Sequence, residues 1–336
     1  MPSAFRHTTP EDEKSLIEFL IRVFAADLRD DFVNPPLLRW KYWSEREDFQ
    51  EPRSYVIEKD GRIVAHVGLW PFTVRTGPKI ERGVHMIDWA ADPAAPGAGV
   101  SMLQRLTKSF DFVYSIGGSE MTQAVLTKFG FSVVAETLTW ARPIRPWKQM
   151  LHHQSKDLRL PLRLARNIWW SRRPHKVIGQ GWMAVEADSA EGILPLYSER
   201  DEAFFRYLQK CPVARYLAFH LVKEGQKLGF IALLAVREQT RVAGVWLDNY
   251  SIENWCAAFH LLQGVALRYT GTSEVVARCS TQISASAASQ AGMRVRARAP
   301  AFLFRKSDRG ESLPLHFQLC DNDSVFLAGR HTDFLT

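Results

Sequence analysis

The stretch Val84–Leu106, VHMIDWAADPAAPGAGVSMLQRL, constrains the fold more than any other part of the chain. It opens as a strand, with Val84, Met86 and Ile87 apolar and Trp89 aromatic, and it breaks at Asp92-Pro93. A loop of small residues, Ala94-Ala95-Pro96-Gly97-Ala98-Gly99, leads into a helical pattern. There Val100, Met102, Leu103 and Leu106 lie on one side, and Gln104, Arg105 and Lys108 on the other. Strand, glycine loop and helix together suit phosphate. First-turn amides lack partners within the helix, the dipole favours an anion, and glycine admits a close approach. The spacing lacks the third glycine of the dinucleotide fingerprint and the Gly-Lys-Ser/Thr of the ATP-binding loop. By itself the stretch reads equally as a plain strand-to-helix turn.

A chain of 336 residues, 46% of them hydrophobic, has material for two cores. Eleven Trp and twenty Phe exclude a disordered chain. The opening MPSAFRHTTPEDEK has no apolar signal segment, and the run Gly229–Val236 is far short of the roughly 20 residues of a membrane span. The expectation is a cytoplasmic protein. Cys211, Cys256, Cys279 and Cys320 form no C-x-x-C, and no His clusters with them at zinc spacing, so free thiols and no metal site are expected. The net charge of +7 is local. Arg142–Lys176 holds ten Lys/Arg against Asp157 alone, so one surface is basic and the rest of the chain is slightly acidic.

The spacing predicts a helix from Thr9-Pro10 to about Ala26 and another from Pro35-Pro36 carrying Leu37, Leu38, Trp40, Tyr42 and Trp43. A hairpin follows around Lys59-Asp60-Gly61-Arg62, then Phe72–Arg75 and Glu81–Ala91. After the glycine loop come a strand Phe110–Ile116, a helix from Ser119 to Lys128, and a closing strand Phe131–Ala141. Pro161 starts a helix through Ser171 inside the basic connector. From Trp182 the order begins again. Short helices are expected over Ala190–Tyr197, Glu202–Leu208 and Val213–Tyr216, and a hairpin around Glu224-Gly225-Gln226. A strand Arg241–Asn249, a helix Ile252–Tyr269, a strand Glu274–Cys279, a helix Thr281–Gln290 and a strand Met293–Arg305 follow. Leu315–Cys320 and Ser324–Leu327 read as one more hairpin. The matching order of the halves points to an internal duplication.

With these residues at the loop, the order resembles the GNAT superfamily of N-acyltransferases in a tandem, two-domain form. The motifs that carry the resemblance are Ala91–Val100, similar to that family's acyl-CoA loop, and Ser119–Phe131, similar to its second CoA-side helix ending in Gly-Phe. The resemblance implies an α+β (α/β three-layer) fold: two tandem domains with mixed, mostly antiparallel sheets flanked by helices. The expected division is 1–143 with the acyl-CoA loop, 144–181 as a basic linker, and 182–336 as a degenerate second copy. The implied activity is acyl-CoA-dependent N-acyl transfer from acetyl-CoA or another acyl-CoA to an amine of a small molecule, sugar or peptide. The chain departs from the family at Ala94, which stands at a Gln/Arg position, and at Leu126, which stands where a Tyr often protonates the leaving thiolate.

On this resemblance the CoA diphosphate is held by backbone around Ala95, Pro96, Gly97, Ala98, Gly99, Val100 and Ser101, with Ser119 adding a hydroxyl. The thioester carbonyl meets an amide at Ala90 or Ala91. His85 and Asp88 are the nearest bases and Tyr114 a replacement acid, each of them also readable as a packed strand residue. Two further readings stay open: a CoA- or partner-binding module without turnover, favoured by Ala94 and Leu126, and a FemABX-like aminoacyl transferase, supported by the basic connector. Residues 142–176 are expected either as an inter-domain helix, as a contact for the 3′-phosphate of CoA, or as a peripheral membrane contact. Nucleic acid ranks last, because no recognition module accompanies the charge.

Overall fold

A computed structural model describes residues 4–76, 79–152, 158–172, 181–188, 200–306, 315–327 and 334–335. The first elements are β1 (Ala4–His7), α1 (Glu13–Phe24) and α2 (Pro35–Leu38), the last continued by a π-helical turn over Arg39–Trp43. In α1, Leu16, Phe19 and Leu20 share the buried side, as their three-to-four spacing requires. The Asn34 side chain caps α2 by accepting the Leu37 N–H at 3.3 Å. Then come β2 (Ser54–Lys59), β3 (Arg62–Thr76), β4 (Lys79–Ala91), α3 (Ala98–Ser109), β5 (Phe112–Ile116), α4 (Glu120–Lys128) and β6 (Ser132–Pro143). The connector forms α5 (Pro146–His152) and α6 (Leu160–Ser171). The rest is β7 (Trp182–Glu186), α7 (Glu202–Gln209), β8 (Arg215–Lys223), β9 (Gln226–Val236), β10 (Gln239–Leu247), α8 (Ile252–Tyr269), β11 (Glu274–Cys279), α9 (Gln282–Gln290) and β12 (Arg294–Arg305).

The chain divides into two compact units, residues 1–135 with 300–315, and residues 136–299 with 316–336. In the first unit the strands run β1-β2-β3-β4-β5-β12. All neighbours are antiparallel except β4 and β5. Its core joins Val67, Leu69 and Val84 of the sheet to Met102, Leu103 and Leu106 of α3 and Leu126 of α4. In the second unit the strands run β7-β8-β9-β10-β11-β6, again antiparallel except for one parallel pair, β10 and β11. Here α8 buries Trp255, Phe259, Leu262 and Ala266 in one core with Ile231, Leu233 and Val275 of the sheet. The same order of strands and helices therefore occurs twice, in an α+β architecture.

Each unit takes its last strand from the other half of the sequence. Ala301–Arg305 of β12 pairs with β5 (Ala301 opposite Ile116), and Leu138–Pro143 of β6 pairs with β11 (Leu138 opposite Cys279). The sequence pattern identifies a strand but not the edge on which it lies, so the strands expected at Phe131–Ala141 and Met293–Arg305 are found without their pairing being readable from alternation. The expected helix at Val213–Tyr216 is absent, because β8 already begins at Arg215. The tail forms no hairpin over its described residues. It makes 3₁₀ turns at Leu319–Asp321 and Asp323–Val325, with Asp321 paired to buried Arg200 at 2.7 Å. The helix expected at Ala190–Tyr197 falls at residues 189–199, outside the described residues.

Candidate functional site

The site is where β4 leaves β5. The two strands pair only over Gly83–His85 against Phe112–Tyr114, and then part. At the parting point His85 Nε2 accepts the Ile116 N–H at 3.1 Å, so an imidazole takes the place of a ladder bond. On its other side β4 carries a bulge. His66 faces Ala90 and Gly68 faces Ile87, leaving Asp88 and Trp89 opposite Val67 alone. Asp88 takes the left-handed conformation, φ 49°, that accommodates the extra residue. Beyond the bulge the Asp92 N–H donates to the Val64 carbonyl at 2.8 Å. Strand alternation then turns the Ala90 N–H toward β3 and the Ala91 N–H into the side that β5 has vacated.

The loop holds itself together with a few of its own amides. Ala94 N–H donates to Asp92 Oδ1 at 2.9 Å, Ala95 N–H to the Asp92 carbonyl at 2.9 Å, and Ala98 N–H to the Ala95 carbonyl at 3.2 Å. The first helical bond runs from Ser101 N–H to the Gly97 carbonyl at 2.9 Å. Gly97 is the N-cap, at φ 85°, a conformation that suits glycine, and no side chain caps the helix. The amides of Gly97, Gly99 and Val100 make no hydrogen bond among the described residues. Of the loop residues read as diphosphate contacts, these three are the ones with a free donor; Pro96 has no N–H, and Ala95, Ala98 and Ser101 use theirs internally. Space above Gly97 is open: apart from the adjoining backbone, nothing lies within 4 Å of where its Cβ would be. Arg22, from α1, pairs with Asp92 at 3.2 Å and brings a guanidinium beside the loop.

Behind the bulge lies a polar cluster that the sequence pattern does not single out. Lys41, with a fully buried side chain, bonds Asp88 Oδ2 with its Nζ, and the Tyr42 hydroxyl donates to the same oxygen. His66 Nδ1 donates to the Asp88 carbonyl at 3.1 Å, which leaves Nε2 to accept the Ser54 hydroxyl at 3.0 Å. Tyr42 crosses β3 at Gly68, where a Cβ would stand 2.6 Å from Tyr42 Cε1. Burial pushes the Asp88 carboxyl up, but the Lys41 charge and the bonds from Lys41 and Tyr42 outweigh it and hold the group below its usual range. Burial drives the His66 imidazole down to about 4, so it is neutral. The one signal in the sequence is a lysine set between aromatics, Trp40-Lys41-Tyr42-Trp43, and the π-helical turn that buries it is a local irregularity that spacing does not reveal.

The remaining candidates are placed as follows. His85 is buried and stacked on Tyr114, with ring centroids 4.8 Å apart, and Tyr114 is itself fully buried. Ser119 caps α4, accepting the Thr122 N–H at 3.2 Å, and remains exposed. Leu126 is fully buried in the core. Several connector cations are engaged by the second unit. Arg142 bonds Gln263 Oε1 at 2.6 Å and the Ala291 carbonyl at 2.8 Å, Arg145 bonds the Leu267 and Thr272 carbonyls, and Lys148 pairs with Glu238 at 2.9 Å. The four cysteines are free and buried. Among the described residues, no group of three His, Cys, Asp or Glu is arranged to hold a metal, and no helix is long and apolar enough to cross a membrane.

No protein-family model and no curated protein matches the sequence. Solved structures do match. A GCN5-related N-acetyltransferase from Anabaena variabilis aligns with TM-score 0.56 at 11% identity, covering 91% of this chain and 73% of that one. A tandem GNAT protein from the clavulanic acid biosynthesis pathway aligns with TM-score 0.55 at 10% identity, covering 91% and 99%. Saccharomyces cerevisiae N-myristoyltransferase, solved with myristoyl-CoA and inhibitors, aligns with TM-score 0.57 at 10% identity, covering 90% and 81%. At such identities the likeness is one of fold.

Proposed function

We propose, for a chain that has the fold of the GCN5-related N-acetyltransferases, that it is an acyltransferase moving an acyl group from acyl-CoA to an amine. The observation that carries this is the trio of unpartnered amides at Gly97, Gly99 and Val100, set at a helix N-terminus just past the parting of β4 and β5. Three N–H groups and a dipole equivalent to about half a charge suit a diphosphate, and they stand in for the side chain missing at Ala94. The thioester lies along the gap between the strands, with the Ala91 N–H as donor to its carbonyl oxygen. The amine nitrogen attacks the carbonyl carbon, the C–S bond breaks, and the proton lost by nitrogen reaches the thiolate through water.

In this reading the chain works by position and by that amide more than by a strong base. Asp88 has a depressed pKa and is held by Lys41 and Tyr42, so it fixes the bulge. His85, whose Nε2 already accepts from Ile116, and Tyr114 beneath it brace the parted strands. The second reading is CoA binding without turnover. It draws on Leu126, a core residue where the family often places the thiolate's proton donor. Calorimetry with acetyl-CoA tests both: no heat at millimolar ligand removes CoA from the account. Where binding is seen, thiol release over a panel of sugar, peptide and small-molecule amines separates enzyme from binder.

A further inference from the structure

Five of the most exposed large apolar side chains lie on the connector: Trp147 (60%), Leu151 (73%), Leu158 (99%), Leu162 (73%) and Trp169 (55%). The two connector helices pack against each other and turn their buried residues inward. Asn167 of α6 bonds Gln149 of α5 at 2.8 Å, Gln149 bonds Glu274 at 3.4 Å, and Trp170 bonds the Gly292 carbonyl at 2.7 Å. The opposite faces are directed outward. On α6, Leu162, Arg166 and Trp169 recur at the four- and seven-residue spacing of one stripe, and Leu158 stands exposed in the turn just before the helix. Arg159, Arg163 and Arg172 flank that stripe, and no acid occurs in Leu158–Arg172.

From this pairing of leucine, tryptophan and arginine we infer that the packed pair α5 and α6 lies on an anionic lipid surface. The apolar residues would enter the boundary between headgroups and acyl chains, and the guanidinium groups would meet the lipid phosphates. Tryptophan prefers that depth because its ring is apolar and its N–H is polar. A nucleic acid would employ the charge and the indoles, but three exposed leucines have no counterpart on a phosphate backbone. The inference is independent of the acyl-transfer reading.

Flotation of the full chain with vesicles tests it. The protein is expected to float with vesicles of phosphatidylcholine plus phosphatidylglycerol and to stay behind with phosphatidylcholine alone. Leu158→Glu with Leu162→Glu should lower partitioning by at least about tenfold at an unchanged unfolding temperature. Should that pair shift the unfolding temperature, Trp169→Ala is the variant to read, with the same direction of loss. Arg159→Gln and Arg172→Gln should each weaken binding by about fivefold. No flotation with the anionic vesicles overturns the inference. So does flotation unaffected by the apolar variants, or displacement of the protein from vesicles by single-stranded polynucleotide.

Discussion

The two units open their sheets in the same way and then diverge. In the first, β4 and β5 pair over three residues before parting; in the second, β10 and β11 pair only over Gln239–Arg241 against Glu274–Val276. Each has a bulge beside the parting, at Asp88 in one and between Val242 and Gly244 in the other. Each ends its antiparallel ladder on an aspartate amide, Asp92 to Val64 at 2.8 Å and Asp248 to Leu228 at 3.0 Å. The helix that follows makes the difference. Gly97 leaves the α3 amides open, whereas the Ser251 side chain accepts the Asn254 N–H of α8 at 3.1 Å, and Asn249 accepts the Ser251 N–H at 3.2 Å. The second opening is also filled. Gln318 Oε1 accepts the Val245 N–H at 2.6 Å, and Phe317 and Phe326 of the tail are fully buried. A repeated backbone thus keeps its parted strands as a folding solution; the amides past them stay open only where cap and filling are left out.

Both units bury an ion pair, and removing one partner should give the largest effect. Lys41→Met leaves Asp88 uncompensated and is expected to destabilise the first unit by about 3–5 kcal/mol. Arg200→Met should do the same to the second through Asp321. The units differ in the second readout. Losing Lys41 frees the bulge and should weaken acetyl-CoA binding, while losing Arg200 should leave affinity intact. Urea unfolding with parallel calorimetry checks this, and Lys41→Met with Asp88→Leu should recover most of the stability. Equal effects of the two single variants on CoA affinity would dissolve the distinction between the units.

Acid tests the units next. His66 and His316 are both fully buried and neutral, pushed down by burial to about 4 and about 3. Their folded pKa values lie below the ordinary value near 6.5, so the unfolded chain takes up protons first. The stability each contributes is complete above about pH 6.5 and is lost as pH falls toward 4 for His66 and toward 3 for His316. For His66 the loss is about 3 kcal/mol. Denaturant midpoints measured from pH 7 to 4 should decline, and His66→Gln should flatten that decline for the first unit only. Below about pH 4, Asp88, whose pKa is depressed, adds a further loss as it protonates.

Much of this is legible in the sequence because it is local. The strand, the Asp92-Pro93 break and the glycine cap follow from residue types within one stretch, and the Lys59–Arg62 hairpin follows from Asp60 and Gly61 at positive φ. What is not legible depends on distant partners. Nothing around Lys41 announces Asp88, and nothing around Val245 announces Gln318. Their spacing places His85 and Asp88 on opposite faces of a regular strand; the bulge begins between them and makes Asp88 part of the cluster behind it. The exchange of β6 and β12 is hidden for the same reason, since alternation gives a strand two faces and no address.

The loop itself carries the third expectation. Gly97→Trp should lower acetyl-CoA affinity by at least about 100-fold, roughly 2.7 kcal/mol, because an indole would stand in the open space before the three amides and because φ 85° is costly for any L residue. Ser251→Gly, which copies the first unit's cap into the second, should create no CoA site, since Gln318 still occupies that opening. Titration of acetyl-CoA into both variants decides it. A second binding event in the Ser251→Gly protein would mean that the cap alone separates the units.

The smallest effect isolates the caps as local structure. Ser251→Ala removes the acceptor for the Asn254 N–H and should cost about 1 kcal/mol in the second unit. The reverse change, Gly97→Ser, should bring no matching gain. Ser251 caps from an extended backbone, φ −83° and ψ 146°, whereas Gly97 sits at φ 85° and ψ −12°, where a serine hydroxyl is not aimed at the N3 amide and the Cβ is strained. Gly97→Ser is therefore expected to lower stability by about 1 kcal/mol. Thermal unfolding of the two variants checks the sign. A stabilised Gly97→Ser protein would show that the loop can turn into an ordinary capped start, and that its open amides come from the residue at the cap and not from the backbone path that β4 and its bulge impose.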